Sequence, residues 1–164
     1  MNGIILIIGG NLGNREESLR ACRNALQSNQ VHIVRISSVF ETASWGNTDN
    51  PPFLNQVLEI KTSLLPEELM DYCLDIEQRL GRTRSQKWES RVIDIDILFY
   101  HHIIYQSDRL RIPHPHIASR RFVLEPLAEM IPNEIHPVSL LQIKTLLDRC
   151  SDELPVQKIS SSYE

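Results

Sequence analysis

Two aspartates, Asp94 and Asp96, sit two residues apart in the apolar run from Ile93 to Tyr100. In a β-strand successive side chains point to opposite faces, so the spacing places Ile93, Ile95, Ile97 and Phe99 on one face and both acids on the other. Carboxylates so placed lie roughly 6 to 7 Å apart and repel by about 2 to 3 kcal/mol at an effective dielectric near ~20. A divalent cation between them reverses that sign, and oxygen-only donors suit Mg2+, which takes one or two carboxylates, water and phosphate oxygens. Just upstream, Arg79, Arg82, Arg84, Lys87 and Arg91 stand against a single acid, Glu89. A cationic stretch beside an acidic strand describes a site for a small polyanion such as a nucleoside triphosphate. The competing reading is a solvated strand face whose acids pair with those arginines.

Other residue patterns carry weaker chemistry. Gly9-Gly10-Asn11-Leu12-Gly13-Asn14 follows an apolar run and offers backbone amides to phosphate, but it lacks the Lys-Ser/Thr ending of a P-loop and the full GxGxxG spacing. Its glycines therefore read as places where the backbone turns tightly or approaches a ligand. His114 and His116 alternate with Pro113 and Pro115 in what reads as an extended segment, with no third ligand at zinc spacing. A proline-held histidine that hydrogen-bonds phosphate fits better than a metal ligand. Trp45 lies in a polar connection and reads either as folded onto the core or as a wall for a ring.

Composition narrows the class. The chain has 164 residues, 41% of them hydrophobic, enough for one compact domain with a sizeable core, expected over residues 1–150 with a polar, frayed tail over 151–164. The net charge of −4 argues against a protein that coats nucleic acid through a broadly basic surface. No apolar run reaches the roughly 20 residues that span a bilayer, and the N-terminal run lacks the flanks of a signal peptide, so a cytoplasmic protein without membrane contact is expected. The three cysteines, Cys22, Cys73 and Cys150, are widely spaced and read as reduced core residues.

The elements that must position these residues follow from periodicity. Ile4 to Ile8 reads as a buried strand, and Asn14 with Glu17 reads as a capping box opening a helix whose Leu19, Cys22 and Leu26 share a face. Val31 to Glu41 reads as a strand with a bulge, Thr42 to Pro52 as a long connection, and Phe53 to Thr62 as the next strand. Pro66, Glu67 and Glu68 open a second helix with an apolar stripe at Leu69, Tyr72, Cys73, Ile76 and Leu80, closed by Gly81. The acidic strand follows, then a turn at His101-His102, a further strand, a helix from Ser119 ending at Pro126, and a short helix from Ser139 to Leu147. Strand, helix, strand, strand, helix, strand is the split βαβ order of an α+β, ferredoxin-like antiparallel sheet with helices on its faces, here with an added C-terminal hairpin strand and helices.

Taken together, Gly9 to Gly13, Thr42 to Gly46, Phe53-Leu54-Asn55, Gly81-Arg82-Thr83-Arg84, Trp88 through Arg91 to Asp94-Ile95-Asp96, and Pro113-His114 are recognisable. Over about Ile4 to Leu147 the chain resembles the 6-hydroxymethyl-7,8-dihydropterin pyrophosphokinases of folate synthesis. The resemblance implies transfer of the terminal diphosphate of ATP to the pterin hydroxymethyl group, giving AMP, with Asp94 and Asp96 holding two Mg2+ ions. It implies catalytic roles for Arg82 and Arg91, and an ATP site at Glu77, Arg84, Arg91, Ile97, His114 and Arg120. It implies a pterin site at Thr42, Ser44, Trp45, Phe53, Asn55 and Phe122, with Phe53 and Phe122 as the two stacking rings. Trp45, Arg84 and Trp88 fall in loops that close over the substrates. A monomer or weak homodimer is expected.

The chain departs from the family pattern at Gly10 in place of serine, at Ala43-Ser44 in place of a proline-rich pair, and at Lys87-Trp88-Glu89-Ser90 in place of Arg-Trp-Gly-Pro. Two other classes compete: a non-catalytic ferredoxin-like module that binds a regulatory small molecule, and a metal nuclease or other phosphotransferase. The first does not account for two acids beside an arginine loop, and the second lacks a continuous basic surface.

Overall fold

The computed structural model describes residues 3–43, 50–81 and 92–159. In chain order the elements are β1 (Ile4–Gly10), α1 (Arg15–Leu26), β2 (Val31–Ile36), β3 (Val39–Thr42), β4 (Phe53–Thr62), α2 (Pro66–Arg79), β5 (Asp94–Tyr100), β6 (Tyr105–Gln106), β7 (Arg111–Ile112), α3 (Arg121–Met130), α4 (Ile143–Asp148) and β8 (Val156–Ile159). Every residue of β1 is buried, as a strand flanked on both edges and covered on both faces requires. It pairs antiparallel with β4 on one side and β5 on the other. The sheet runs β5-β1-β4-β3-β8, with β2 also on β4, and β6 and β7 form a separate two-stranded ribbon.

Alternation along β1 divides the core in two. Ile4, Leu6 and Ile8 pack with Leu19, Cys22 and Leu26 of α1 and with Leu69, Cys73 and Ile76 of α2. Ile5 and Ile7 point the other way, to Val123, Leu124 and Leu127 of α3 and Ile143 and Leu146 of α4. Each fully buried Ile or Leu is worth roughly 1.5 to 3 kcal/mol. Asn14 caps α1 by accepting the Glu17 amide at 3.2 Å, while the Glu17 carboxylate pairs with Arg20, so only half of the expected capping box forms. Gly81, at φ 96°, ends α2 in the left-handed region as expected.

Several expectations are corrected. Gly9 and Gly10 belong to β1 rather than to the turn, which leaves Gly13, at φ 64°, to make it. Phe99 does not share a face with Ile95 and Ile97. Ile97 lies opposite Leu6 and Phe99 opposite Ile5, so Leu98 is an extra residue and the phase reverses there. Phe99 accordingly packs with Ile5 and Ile7. The Leu98 carbonyl accepts the His114 amide at 3.0 Å, which ties the segment after β7 to the bulge.

The stretch Ile112 to His116 is not extended throughout. Ile117 and Ser119 donate amide hydrogens back to His114 and His116, so the chain winds into a short 3-10 turn over Ile117–Ser119. Helix α3 continues through Pro126 to Met130. The proline has no amide hydrogen for the Phe122 carbonyl, but Val123, Leu124, Pro126 and Leu127 are all buried and hold the helix together. Helix α4 starts at Ile143 instead of Ser139, because Gln142 bridges Ile135 and Leu140 sits at φ 58°. The expected frayed tail is a strand where it is described: β8 pairs with β3 from Val39↔Ile159 to Thr42↔Val156. Cys22 and Cys73 are buried and Cys150 half-buried, all three as free thiols.

Candidate active site

Pairing register assembles the site. Gly9 of β1 lies opposite Asp94 of β5 and opposite Asn55 of β4, and directly paired residues point to the same face. Asp94, Gly9 and Asn55 therefore form one row on the face that also carries α3 and α4. With strands about 4.8 Å apart, Asp94 and Asn55 stand roughly 10 Å from each other across the bare glycine. One row along, Asp96 lies opposite Ile7, so both acids share this face as the spacing predicts.

Asn55 is 5% exposed and donates its amide to Thr42 Oγ1 at 3.0 Å. Phe53, two residues earlier on the same face and opposite Thr42, is half-buried. The structure thus gathers Thr42, Phe53 and Asn55 into one corner. A β-carbon on Gly9 would meet Asn55 Oδ1 at 2.3 Å and the Leu54 carbonyl at 3.0 Å. Gly9 is a site residue that its glycine turn signalled only as a place of close approach, since Asn55 is 46 positions further on.

His114, Arg120 and Phe122 approach the same face from the C-terminal part of the chain. The His114 Nδ1 accepts the His116 amide at 3.2 Å, which leaves the ring proton on Nε2 as a donor in the neutral form. Burial, aided by the nearby positive Arg120 and by His116, pushes His114 down to about 4 against the opposing pull of Asp94. The ring is neutral at physiological pH and donates without adding charge. Arg120, just before α3, places its guanidinium carbon 5.8 Å from the centre of the Phe122 ring, a cation–π contact that steadies both.

A cleft of about 640 Å³ lies along the outer edge of β5, between α2 and the β6–β7 ribbon, lined by Met70, Asp96, Ile97, Leu110, Arg111 and His114 among others. The ribbon is tied to α2 by Tyr105 Oη donating to Glu67 at 2.9 Å and by Arg109 pairing with Asp71. Ile97 thus lines the cleft. Met70 of α2 does too, as do Leu110 and Arg111 of the ribbon, whose two-residue strands are too short for alternation to reveal its residues. Glu77 lies beneath, 1% exposed, and accepts the Ile95 amide at 2.6 Å, at the peptide unit between the two acids. Ser44, Trp45, Arg82, Arg84, Trp88 and Arg91 lie outside the described residues.

The donors present fit Mg2+. Asp94 and Asp96 are half-buried on one face, and among the described residues no group of three or more His, Cys, Asp or Glu side chains could hold a metal by itself. Two carboxylates with coordination left for water and phosphate suit Mg2+ and do not make a closed zinc site.

A family model described as 7,8-dihydro-6-hydroxymethylpterin-pyrophosphokinase matches residues 5–132. The chain belongs to this family. It is 43% identical over 132 residues to the 2-amino-4-hydroxy-6-hydroxymethyldihydropteridine pyrophosphokinase of Bacillus subtilis, covering 79% of each chain. With the enzyme of the same name from Aquifex aeolicus it shares 39% identity over 138 residues, covering 84% of this chain and 86% of the relative. The family also occurs within longer chains: the folic acid synthesis protein fol1 of Schizosaccharomyces pombe is 34% identical over 162 residues, of which this chain spans only 22%. Among solved structures, Plasmodium falciparum HPPK-DHPS aligns with a TM-score of 0.71 over 91% of this chain and 43% of that one. At 18% identity that likeness speaks to the fold.

Proposed function

We propose that this pyrophosphokinase-family chain moves the terminal diphosphate of ATP onto the hydroxymethyl group of 6-hydroxymethyl-7,8-dihydropterin, releasing AMP, with the described face of the sheet as its active surface. Family membership makes it an enzyme of folate biosynthesis, a transferase acting on a pterin. The observation that carries the assignment of residues is the row Asp94–Gly9–Asn55. It sets an acidic strand beside a nucleotide-sized cleft on one side and a buried amide with an aromatic ring on the other.

The nucleoside of ATP enters the cleft against Ile97, with its phosphates turned toward Asp96, His114 and Arg120. His114 Nε2–H and the Arg120 guanidinium donate to phosphate oxygens, and Glu77 holds the strand between the acids straight. Two Mg2+ ions on Asp94 and Asp96 would neutralise the charge of the phosphates and bring the attacking hydroxyl close. Phe53 and Phe122 sandwich the pterin, while Asn55 and Thr42 read its amide edge, so stacking supplies affinity and hydrogen bonds supply specificity. The reaction is an in-line displacement at the β-phosphorus and needs alignment and charge compensation more than a covalent intermediate. Arg82, Arg84 and Arg91 supply further positive charge, and Trp45 and Trp88 close over the substrates.

The all-antiparallel order β5-β1-β4-β3 with α1 and α2 on one face supports a ferredoxin-like core in a single domain. Purified protein given Mg2+, ATP and the reduced pterin alcohol is expected to form AMP and the pterin diphosphate in equal amounts. Folded protein that binds ATP yet forms no AMP under these conditions would overturn the assignment.

A further inference from the structure

We infer that Arg15, on the opposite face of the sheet from the substrates, is a positioning residue for the pterin corner. Its Nη1 donates to Glu41 Oε2 at 2.8 Å and to the Pro52 carbonyl at 2.8 Å. Glu41 and Pro52 are the two roots of the connection between β3 and β4. Each stands one residue from a pterin-side residue, Glu41 before Thr42 and Pro52 before Phe53. Neighbours on a strand point to opposite faces, so Glu41 turns toward α1 while Thr42 turns to Asn55.

The roots need an external brace. Pro51 and Pro52 have no amide hydrogen, so they cannot extend the ladder by donating. Side chains take their carbonyls instead: Arg15 that of Pro52, and Asn11, 1% exposed, that of Pro51 at 3.2 Å. Both donors flank the turn that leads from Gly9 and Gly10 into α1. The floor of the site and the two roots of its pterin wall are thereby braced by one short stretch of chain. An exposed ion pair alone contributes little, but only 28% of the Arg15 side-chain surface is open, and its guanidinium ties β3 to the residue just before β4.

The inference rests on the reading of Thr42, Phe53 and Asn55 as the pterin corner. Its test is steady-state kinetics of Arg15→Ala, Arg15→Lys and Glu41→Gln, with pterin binding measured by its own fluorescence and folding by thermal melts. Arg15→Ala is expected to raise the pterin KM and Kd about tenfold while the ATP KM moves less than about twofold. Arg15→Lys, which can still reach both oxygens one at a time, restores part of the loss, and Glu41→Gln gives a smaller shift of the same kind. Unchanged pterin binding in a folded Arg15→Ala protein, or an equal rise in both KM values, overturns the inference. If Arg15→Ala does not fold, Glu41→Gln decides by the same selective shift. An inactive wild type with no AMP formed would instead count against the proposed function.

Discussion

Gly9 and Asn55 are packed so closely that a single methyl group on the glycine would fall 2.3 Å from the Asn55 Oδ1. No real contact is that short, and Asn55 is held on its other side by Thr42, so the amide would have to turn. Gly9→Ala is therefore expected to weaken the pterin by about tenfold or more, the worth of a lost or misaligned hydrogen bond at a buried site, and to leave ATP binding close to wild type. Separate titrations of the two substrates check this. Equal loss of both would mean that the strand, rather than the amide, had moved.

The two acids and the Phe122 ring in the first turn of α3 should separate by substrate. Asp96→Ala is expected to lower turnover by on the order of a thousandfold or more, since charge compensation of transferring phosphates is worth several kcal/mol. It should spare pterin binding. Phe122→Ala should chiefly weaken the pterin, by about tenfold, through the lost stacking and burial. Single-turnover rates with pterin fluorescence titrations distinguish the two; a Phe122 variant that loses ATP and keeps pterin would overturn the assignment of Phe122 to the pterin.

His114 makes stability depend on pH. Its ordinary value of 6.5 applies in the unfolded chain, and burial with Arg120 and His116 lowers it to about 4 in the fold. Between those values the unfolded state holds a proton that the folded state does not, so stability falls as pH drops from 6.5 toward 4 and levels off below. The contribution is at most about 3.4 kcal/mol, and His136, also lowered by burial, adds in the same direction. Urea unfolding at pH 7 and pH 5 without nucleotide should show the loss, and His114→Gln should reduce it. An unaltered difference in the variant would place the titration elsewhere.

The cysteines should differ in reactivity. Burial pushes the Cys22 thiol up to about 12, with Glu77 adding to the effect, and raises Cys73 likewise. Neither forms the thiolate that attacks reagents at pH 8. Titration with an aromatic disulfide reagent should label half-buried Cys150 in the native protein and the other two only after unfolding. Rapid native labelling of Cys22 would mean that α1 opens from the sheet.

Much of this protein was legible in local pattern. The apolar run at Ile4, the strand from Phe53 to Thr62, the helices capped at Asn14 and opened at Pro66, and the shared face of Asp94 and Asp96 all follow from periodicities within ten or so residues. Those are enforced by backbone geometry at each position. The donor set was legible too, since two carboxylates on one strand face offer oxygen ligands of the kind that suit a divalent cation. What local pattern could not supply is which strands meet and in what register. The bulge at Leu98 turned Phe99 to the other face because β1 and the His114 amide, neither adjacent in the chain, take up its neighbours. Helix α3 ran past Pro126 because the packing of Val123, Leu124 and Leu127 outweighs one missing hydrogen bond. The C-terminal residues became β8 because β3 offered them an open edge. The row Asp94–Gly9–Asn55 and the Arg15 brace join residues from 26 to 85 positions apart, and only the ladder of a folded sheet sets such residues side by side.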